Sequence, residues 1–145
     1  MTIWFDMDGT ISNLYLVTNW HYMLRHENPK PYKIALPIGN MRMLARYLNI
    51  LQKQGHKLGI ISWLSKDSTV AYDRKVTAAK LNWLKQHLNS VQWDYIHIVE
   101  YGTNKREVCG DGILFDDNET IRADWGGTAY EPAKIMEVLK ALKEA

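Results

Sequence analysis

The chain carries a single cysteine, Cys109, in 145 residues, so no disulfide can form within it, and this usage favours a reducing, intracellular setting. Long hydrophobic runs are also missing. The longest, such as Leu58 to Leu64, are far too short to span a bilayer, and the first residues lack a basic region leading into an apolar one. The expectation is a soluble cytoplasmic protein with no membrane partner. Excess charge is absent too: the formal net charge is +2, and the lysines and arginines are scattered rather than stacked. Electrostatics therefore do not indicate nucleic acid, although a local patch at Arg25, Lys30 and Lys33 leaves it open. No internal repeat or low-complexity tract is visible, and the five histidines form no ligand-like cluster. One domain of this length can bury a core without metal staples.

What is present is an alternation of two periodicities. Short apolar runs at Ile3–Phe5, Lys57–Ile61, Tyr95–Val99, Gly112–Phe115 and, more weakly, Thr128–Tyr130 read as strands. Between them lie helical patterns. Met41, Leu44, Leu48 and Leu51 recur at three and four, with Gly55 as a C-terminal cap. Leu81, Leu84 and Leu88 give a second stripe in the segment from Lys75 to Leu88. A last helix starts near Pro132 and carries Ile135, Val138, Leu139 and Leu142 on one face. Strands alternating with amphipathic helices predict an α/β fold: a Rossmann-like three-layer sandwich on a mainly parallel five-stranded sheet, with all strand C-terminal ends on one edge. Ligands bind at that edge in such sheets.

One connection is too long for this scheme. Nearly thirty residues, from Ile11 to about Asn40, separate the first strand from its crossover helix, where roughly 2 to 6 would suffice. Residues 11–40 therefore read as a cap or lid insert within a single domain spanning 1–145, with a short helix from Asn19 to His26 and then a proline-bounded loop. A smaller excess, Ser65 to Arg74, follows the second strand.

The polar residues that end the strands carry the chemistry. The first strand ends in Asp6, with Asp8 two residues on, then Gly9 and Thr10; the second ends in Ser62, followed by Trp63. Lys105 lies past the third, and the fourth ends in Asp116 and Asp117. On one sheet edge these would bring four carboxylates against one ammonium, a cluster that calls for a divalent cation. All-oxygen ligation suits Mg²⁺, which keeps waters and takes a substrate phosphate as a further ligand.

These residues resemble the haloacid dehalogenase superfamily of phosphotransferases, through D-x-D-G-T at Asp6–Thr10, Ser62, Lys105 and the acidic pair Asp116–Asp117, in order along the whole core. The resemblance implies a Mg²⁺-dependent phosphomonoester hydrolase. Asp6 would be the nucleophile that forms an aspartyl-phosphate, and Asp8 the general acid and base, its backbone carbonyl joining the metal. The resemblance further has Gly9 allow the turn, Thr10 orient Asp8, Ser62 donate to a phosphate oxygen, and Lys105 neutralise Asp6 and the phosphate. The resemblance puts both Asp116 and Asp117 at the metal: Asp117 aligns with the direct ligand and Asp116 would act through water, two roles such a pair can exchange. Phosphoryl transfer of this kind rests on positioning and charge stabilisation, and Asp8 must be protonated when the leaving group departs.

Two other readings of the motif fit less well. In a calcium loop Gly9 falls too early, and Val17 stands where a twelfth-position Glu is needed. A receiver domain begins with its acidic pair, whereas here the pair comes last. The small insert with "FDMDGT" and a paired fourth motif is similar to nucleotide-type phosphatases of the superfamily, so the expected partner is a small phosphorylated substrate of nucleotide type. Trp63, Tyr15, Trp20 and Tyr22 either stack on a base or pack the insert onto the core. Alternatives are a sugar or small-metabolite phosphatase, a polynucleotide 3'-phosphatase, or a non-catalytic phosphate- or nucleotide-binding module.

Overall fold

The computed structural model describes all residues, Met1–Ala145. Five strands, β1 (Thr2–Phe5), β2 (Lys57–Trp63), β3 (Tyr95–Val99), β4 (Ile113–Phe115) and β5 (Ala129–Tyr130), form one sheet in the order β3-β2-β1-β4-β5. Every neighbouring pair is parallel. All five strands fall where the apolar runs place them, and β2 continues through Ser62 to Trp63 because both residues pair with β3, opposite Ile98 and Val99.

The helices are α1 (Trp20–Arg25), α2 (Lys30–Ile34), α3 (Met41–Lys53), α4 (Val70–His87), α5 (Lys105–Cys109), α6 (Glu119–Asp124) and α7 (Ile135–Glu144). None is long and apolar enough to cross a membrane. Strand residues alternate between two faces, as a period of two requires. Ile3, Phe5, Leu58, Ile60, Ile113 and Phe115 join one core with side chains of α3, α4 and α7. Trp4, Ile61 and Leu114 form the other with Trp125, flanked by Ile121 of α6 and Cys109 of α5. That is the three-layer arrangement.

The chain order determines where ligands can enter. It runs from β1 outward through β2 to β3, then returns across the sheet to β4 and β5, so the switch point lies between β1 and β4. Phe5 stands opposite Phe115, and Asp6 N–H donates to the Phe115 carbonyl at 2.9 Å. Asp6 and the Asp116–Asp117 pair thus leave the sheet side by side at that crevice.

Two expectations about helices are corrected. Leu81 is not part of the buried stripe of α4: it is exposed, and the face turned inward carries Tyr72, Val76, Ala79, Lys80, Trp83 and Leu84. The loop after β2 is also shorter than expected, because Thr69 caps α4, its hydroxyl accepting from Tyr72 N–H at 3.2 Å. In the insert, the short helix from Asn19 is present as α1, and the proline-bounded stretch beyond it folds as α2 with Pro31 in its first turn.

The insert packs on α4. Leu14 and Tyr32 bury against Tyr72, Val76 and Ala79. Four hydrogen bonds add direction: Tyr32 Oη with Ser65 Oγ (2.6 Å), Tyr72 Oη to the Asn28 carbonyl (3.0 Å), Trp83 Nε1 to the Ala35 carbonyl (2.8 Å) and Thr69 Oγ1 to Glu27 (3.1 Å).

Gly59 tests this packing. It pairs with Trp4 across β1 and β2, and a Cβ there would stand 2.3 Å from the buried indole. Gly59→Ala should therefore cost about 1–3 kcal/mol of stability through overpacking, read as a lower denaturant midpoint with an unchanged slope.

Candidate active site

Asp6 is buried at the end of β1 and held by two donors. Lys105 Nζ reaches its Oδ1 at 3.0 Å, and the Thr10 hydroxyl reaches its Oδ2 at 3.0 Å. Lys105 can do this because Asn104 caps α5, accepting from Glu107 N–H at 3.1 Å, which places the lysine in the first helical turn facing the β1/β4 crevice. Its ammonium also bonds Asp116 Oδ2 at 2.6 Å. Burial alone would lower the Lys105 pKa, but the Asp6 and Asp116 carboxylates outweigh it and hold the ammonium above its ordinary value.

Asp116 is fully buried and has both oxygens engaged, Oδ2 by Lys105 and Oδ1 by Asn118 N–H at 2.9 Å. Asp117 is exposed on its outer side but desolvated where its carboxyl faces Asp6, and its side-chain donor is the Thr10 hydroxyl, at 3.5 Å from Oδ1. Burial first, and the neighbouring Asp6 second, push Asp116 up to about 6 and Asp117 up to about 7. One oxygen from each of Asp6, Asp116 and Asp117 lies within 4.8 Å of the others, a group that could hold a metal ion.

Gly9 has φ +83°, and a Cβ there would stand 2.3 Å from Asp117 Oδ2. The missing side chain thus serves both the turn and the approach of this carboxylate. The turn closes through three amides, those of Thr10, Ile11 and Ser12, which all donate to the Met7 carbonyl, while the amides of Met7 and Asp8 donate to no acceptor in the chain.

The structure corrects the expected role of Thr10. Its hydroxyl serves Asp6 and accepts from Asp117 N–H at 3.2 Å, joining the first and fourth motifs; it does not touch Asp8. Asp8 is held instead by Lys80 of α4, a residue the sequence reading missed. Lys80 Nζ donates to Asp8 Oδ2 (2.9 Å), Ser62 Oγ (2.7 Å) and the Trp63 carbonyl (2.8 Å), and it is 1% exposed. Burial raises the Asp8 pKa against the opposing pull of Lys80, with Asp6 adding to the rise.

Ser62 lies elsewhere than expected. It is fully buried, is not on the wall of the cavity, and spends its hydroxyl on Lys80 because β2 runs on past it. A sequence signal for Lys80 does exist. It falls four residues after Val76 and four before Leu84, so it is a lysine on the apolar face of a helix, visible once the stripe is phased on Tyr72 and Val76 rather than on Leu81.

The cavity above this cluster measures about 710 Å³ and runs between the insert and the core. Asp6, Asp8, Lys105 and Asp117 line its floor, and Tyr15, Trp20, Trp63 and Tyr101 its walls; of the basic patch, only Arg25 reaches it. Trp63 has a structural duty as well. Its indole N–H donates to the Thr103 carbonyl at 2.9 Å, its ring stacks at a tilt on Tyr101 at 4.9 Å, and Lys105 Nζ lies 5.5 Å from its centroid.

Four carboxylates against the two ammoniums of Lys80 and Lys105 leave a formal charge of −2 when all are ionised. A hard divalent cation matches both that charge and the oxygen-only donor set. Compared with known protein families, curated proteins and solved structures, the chain matches none.

The raised carboxylates make a stability test. In the metal-free protein they bind protons more tightly folded than unfolded, so their contribution is intact at low pH and is lost as pH rises from about 4 through about 7. In chelator, the melting temperature should fall between pH 5 and pH 8. Millimolar Mg²⁺ should raise it at pH 8 and change it little at pH 5, where protons already occupy the cluster.

Proposed function

We propose that this chain is a Mg²⁺-dependent phosphomonoester hydrolase of the haloacid dehalogenase type, acting on a nucleotide-like substrate. The observation that carries the reading is the pairing of two carboxylates two residues apart in opposite settings. Asp6 is gripped by Lys105 and Thr10 on the cavity floor, and Asp8 is a carboxyl of raised pKa on the same floor. Two such neighbours divide into nucleophile and proton carrier.

In the first step an Asp6 oxygen attacks phosphorus. The ester P–O bond breaks, and the Asp8 proton goes to the leaving oxygen as that bond's electron pair departs with it. In the second, Asp8, now ionised, takes a proton from water; the water oxygen attacks phosphorus, and inorganic phosphate leaves with the Asp6 carboxylate restored. Lys105 and the unpaired amides of Met7 and Asp8 are the donors available to the phosphoryl oxygens. Asp6 and Asp117, with the Asp8 carbonyl, would hold Mg²⁺, and Asp116, saturated by Lys105 and Asn118, would act through water. The ion would supply charge neutralisation for the phosphoryl group.

The cavity is larger than a phosphate needs, and its aromatic walls suit a planar base. Phosphate release from nucleoside monophosphates in Mg²⁺ is the direct assay. Asp6→Asn should cut turnover by at least about 10³-fold while circular dichroism shows an unchanged fold. Loss of no activity in that variant, or a wild-type protein inert on nucleotides and on p-nitrophenyl phosphate alike, would overturn the reading.

The base subsite has its own test. Tyr101 lines the cavity and is 53% exposed. Tyr101→Ala should raise KM for nucleoside monophosphates about fivefold, equivalent to about 1 kcal/mol of lost stacking, and leave KM for ribose 5-phosphate unchanged.

A further inference from the structure

Lys80 is the one buried charge near the site that the two-step reaction above does not use. An ammonium has three hydrogens to donate, and Lys80 spends them on three acceptors: Asp8 Oδ2, Ser62 Oγ and the Trp63 carbonyl. Two of these belong to β2, which is held in the sheet by β1 and β3, so Nζ cannot follow Asp8; the carboxyl must come to it. No protein donor reaches the other carboxyl oxygen, Oδ1, while the side chain stays 15% exposed on the cavity floor.

The lysine is also shielded. Tyr32 of α2 lays its ring over Nζ at 5.1 Å and is itself 4% exposed, its hydroxyl tied to Ser65. Water is thereby kept from competing for the ammonium, which strengthens the bond to Asp8 in a medium of low dielectric.

We infer that Lys80 is a positioning residue for the proton carrier: it pins Asp8 Oδ2, leaves Oδ1 as the oxygen that delivers and takes up the proton, and aims it at the leaving group. The insert contributes Tyr32 as the cover over this contact. The inference rests on the hydrolase reading proposed above, with Asp8 as its acid and base. Lys80 touches neither the substrate nor the reacting atoms, so its effect runs through Asp8.

Leaving-group dependence separates this role from a general structural one. A sugar alkoxide must be protonated as it departs, whereas p-nitrophenolate leaves as a stable anion. In single turnover, Lys80→Met should slow leaving-group release from a nucleoside monophosphate by about 10²-fold, the lower end of what a placed general acid contributes, slow release of p-nitrophenolate by less than about tenfold, and leave the Kd of both substrates within about threefold; hydrolysis of the aspartyl-phosphate, common to both, should slow equally. In the Asp8→Asn background, adding Lys80→Met should change kcat less than about twofold, since residues acting as a unit are not additive.

Equal losses in the rate of leaving-group release from the two substrates, or a full further loss in the double variant, would overturn the inference while leaving the hydrolase reading intact. A wild-type protein that releases phosphate from neither substrate would instead bring down that reading, and this inference with it. Should Lys80→Met fail to fold, Asp8→Asn compared with Asp8→Asn/Lys80→Met decides the question alone, because the double variant retains neither of the paired charges.

Discussion

Four carboxylates meet at the β1/β4 crevice, and their mutual repulsion is the constraint around which the rest of the molecule is arranged. The sheet forces the meeting. With β1 and β4 parallel and in register, the residues that follow Phe5 and Phe115 leave on the same edge, and those residues are Asp6 and Asp116. Two lysines come from different helices to answer it. Lys105, at the start of α5, bridges Asp6 and Asp116, and Lys80, midway along α4, sits beneath Asp8. The charge that remains is what a divalent cation or bound protons would balance; burial first, and Asp6 second, raise the pKa values of Asp116 and Asp117.

Asp6 and Asp8 are chemically identical and nearly adjacent, yet their settings differ because the chain turns between them. After β1 the backbone closes on the Met7 carbonyl and passes through Gly9 in the left-handed region, so the two side chains find different partners. Thr10 then links the turn to Asp117, tying the first motif to the end of β4. The insert joins this arrangement through α4: Tyr32 covers Lys80, and Trp83 binds the Ala35 carbonyl. Its four hydrogen bonds and its own apolar cluster make it a wall of the cavity fastened to the core.

The strand runs were legible because a sheet covered on both faces needs continuous apolar residues, and Ile3–Phe5 and Lys57–Ile61 have few polar interruptions. The strand-end positions of Asp6, Asp116 and Asp117 followed from counting along those runs. Lys80 was harder. A helix stripe can be phased on any of its leucines, and Leu81, Leu84 and Leu88 offered a phase that turns Lys80 outward; the true phase follows Tyr72 and Val76, which face the insert, and Trp83 and Leu84, which join the sheet core. Helix α2 was obscured in the same way, since prolines at its start read equally well as a loop.

What the amino-acid order determined by itself is the alternation of strand and helix, and hence a parallel α/β sheet with Asp6, Asp8, Asp116 and Asp117 gathered on one rim. Those outcomes depend on local periodicity and on which residue ends each run, both properties of neighbours in the chain. Tertiary structure alone decided which partner each acid received. Ser62 went to Lys80 rather than the cavity, Lys105 went to Asp6 across 99 residues of chain, and Lys80 went to Asp8 across 72. Hydrogen bonds of that range are set by the packing of the helices against the sheet and the insert, and such packing leaves no trace in any short stretch of sequence.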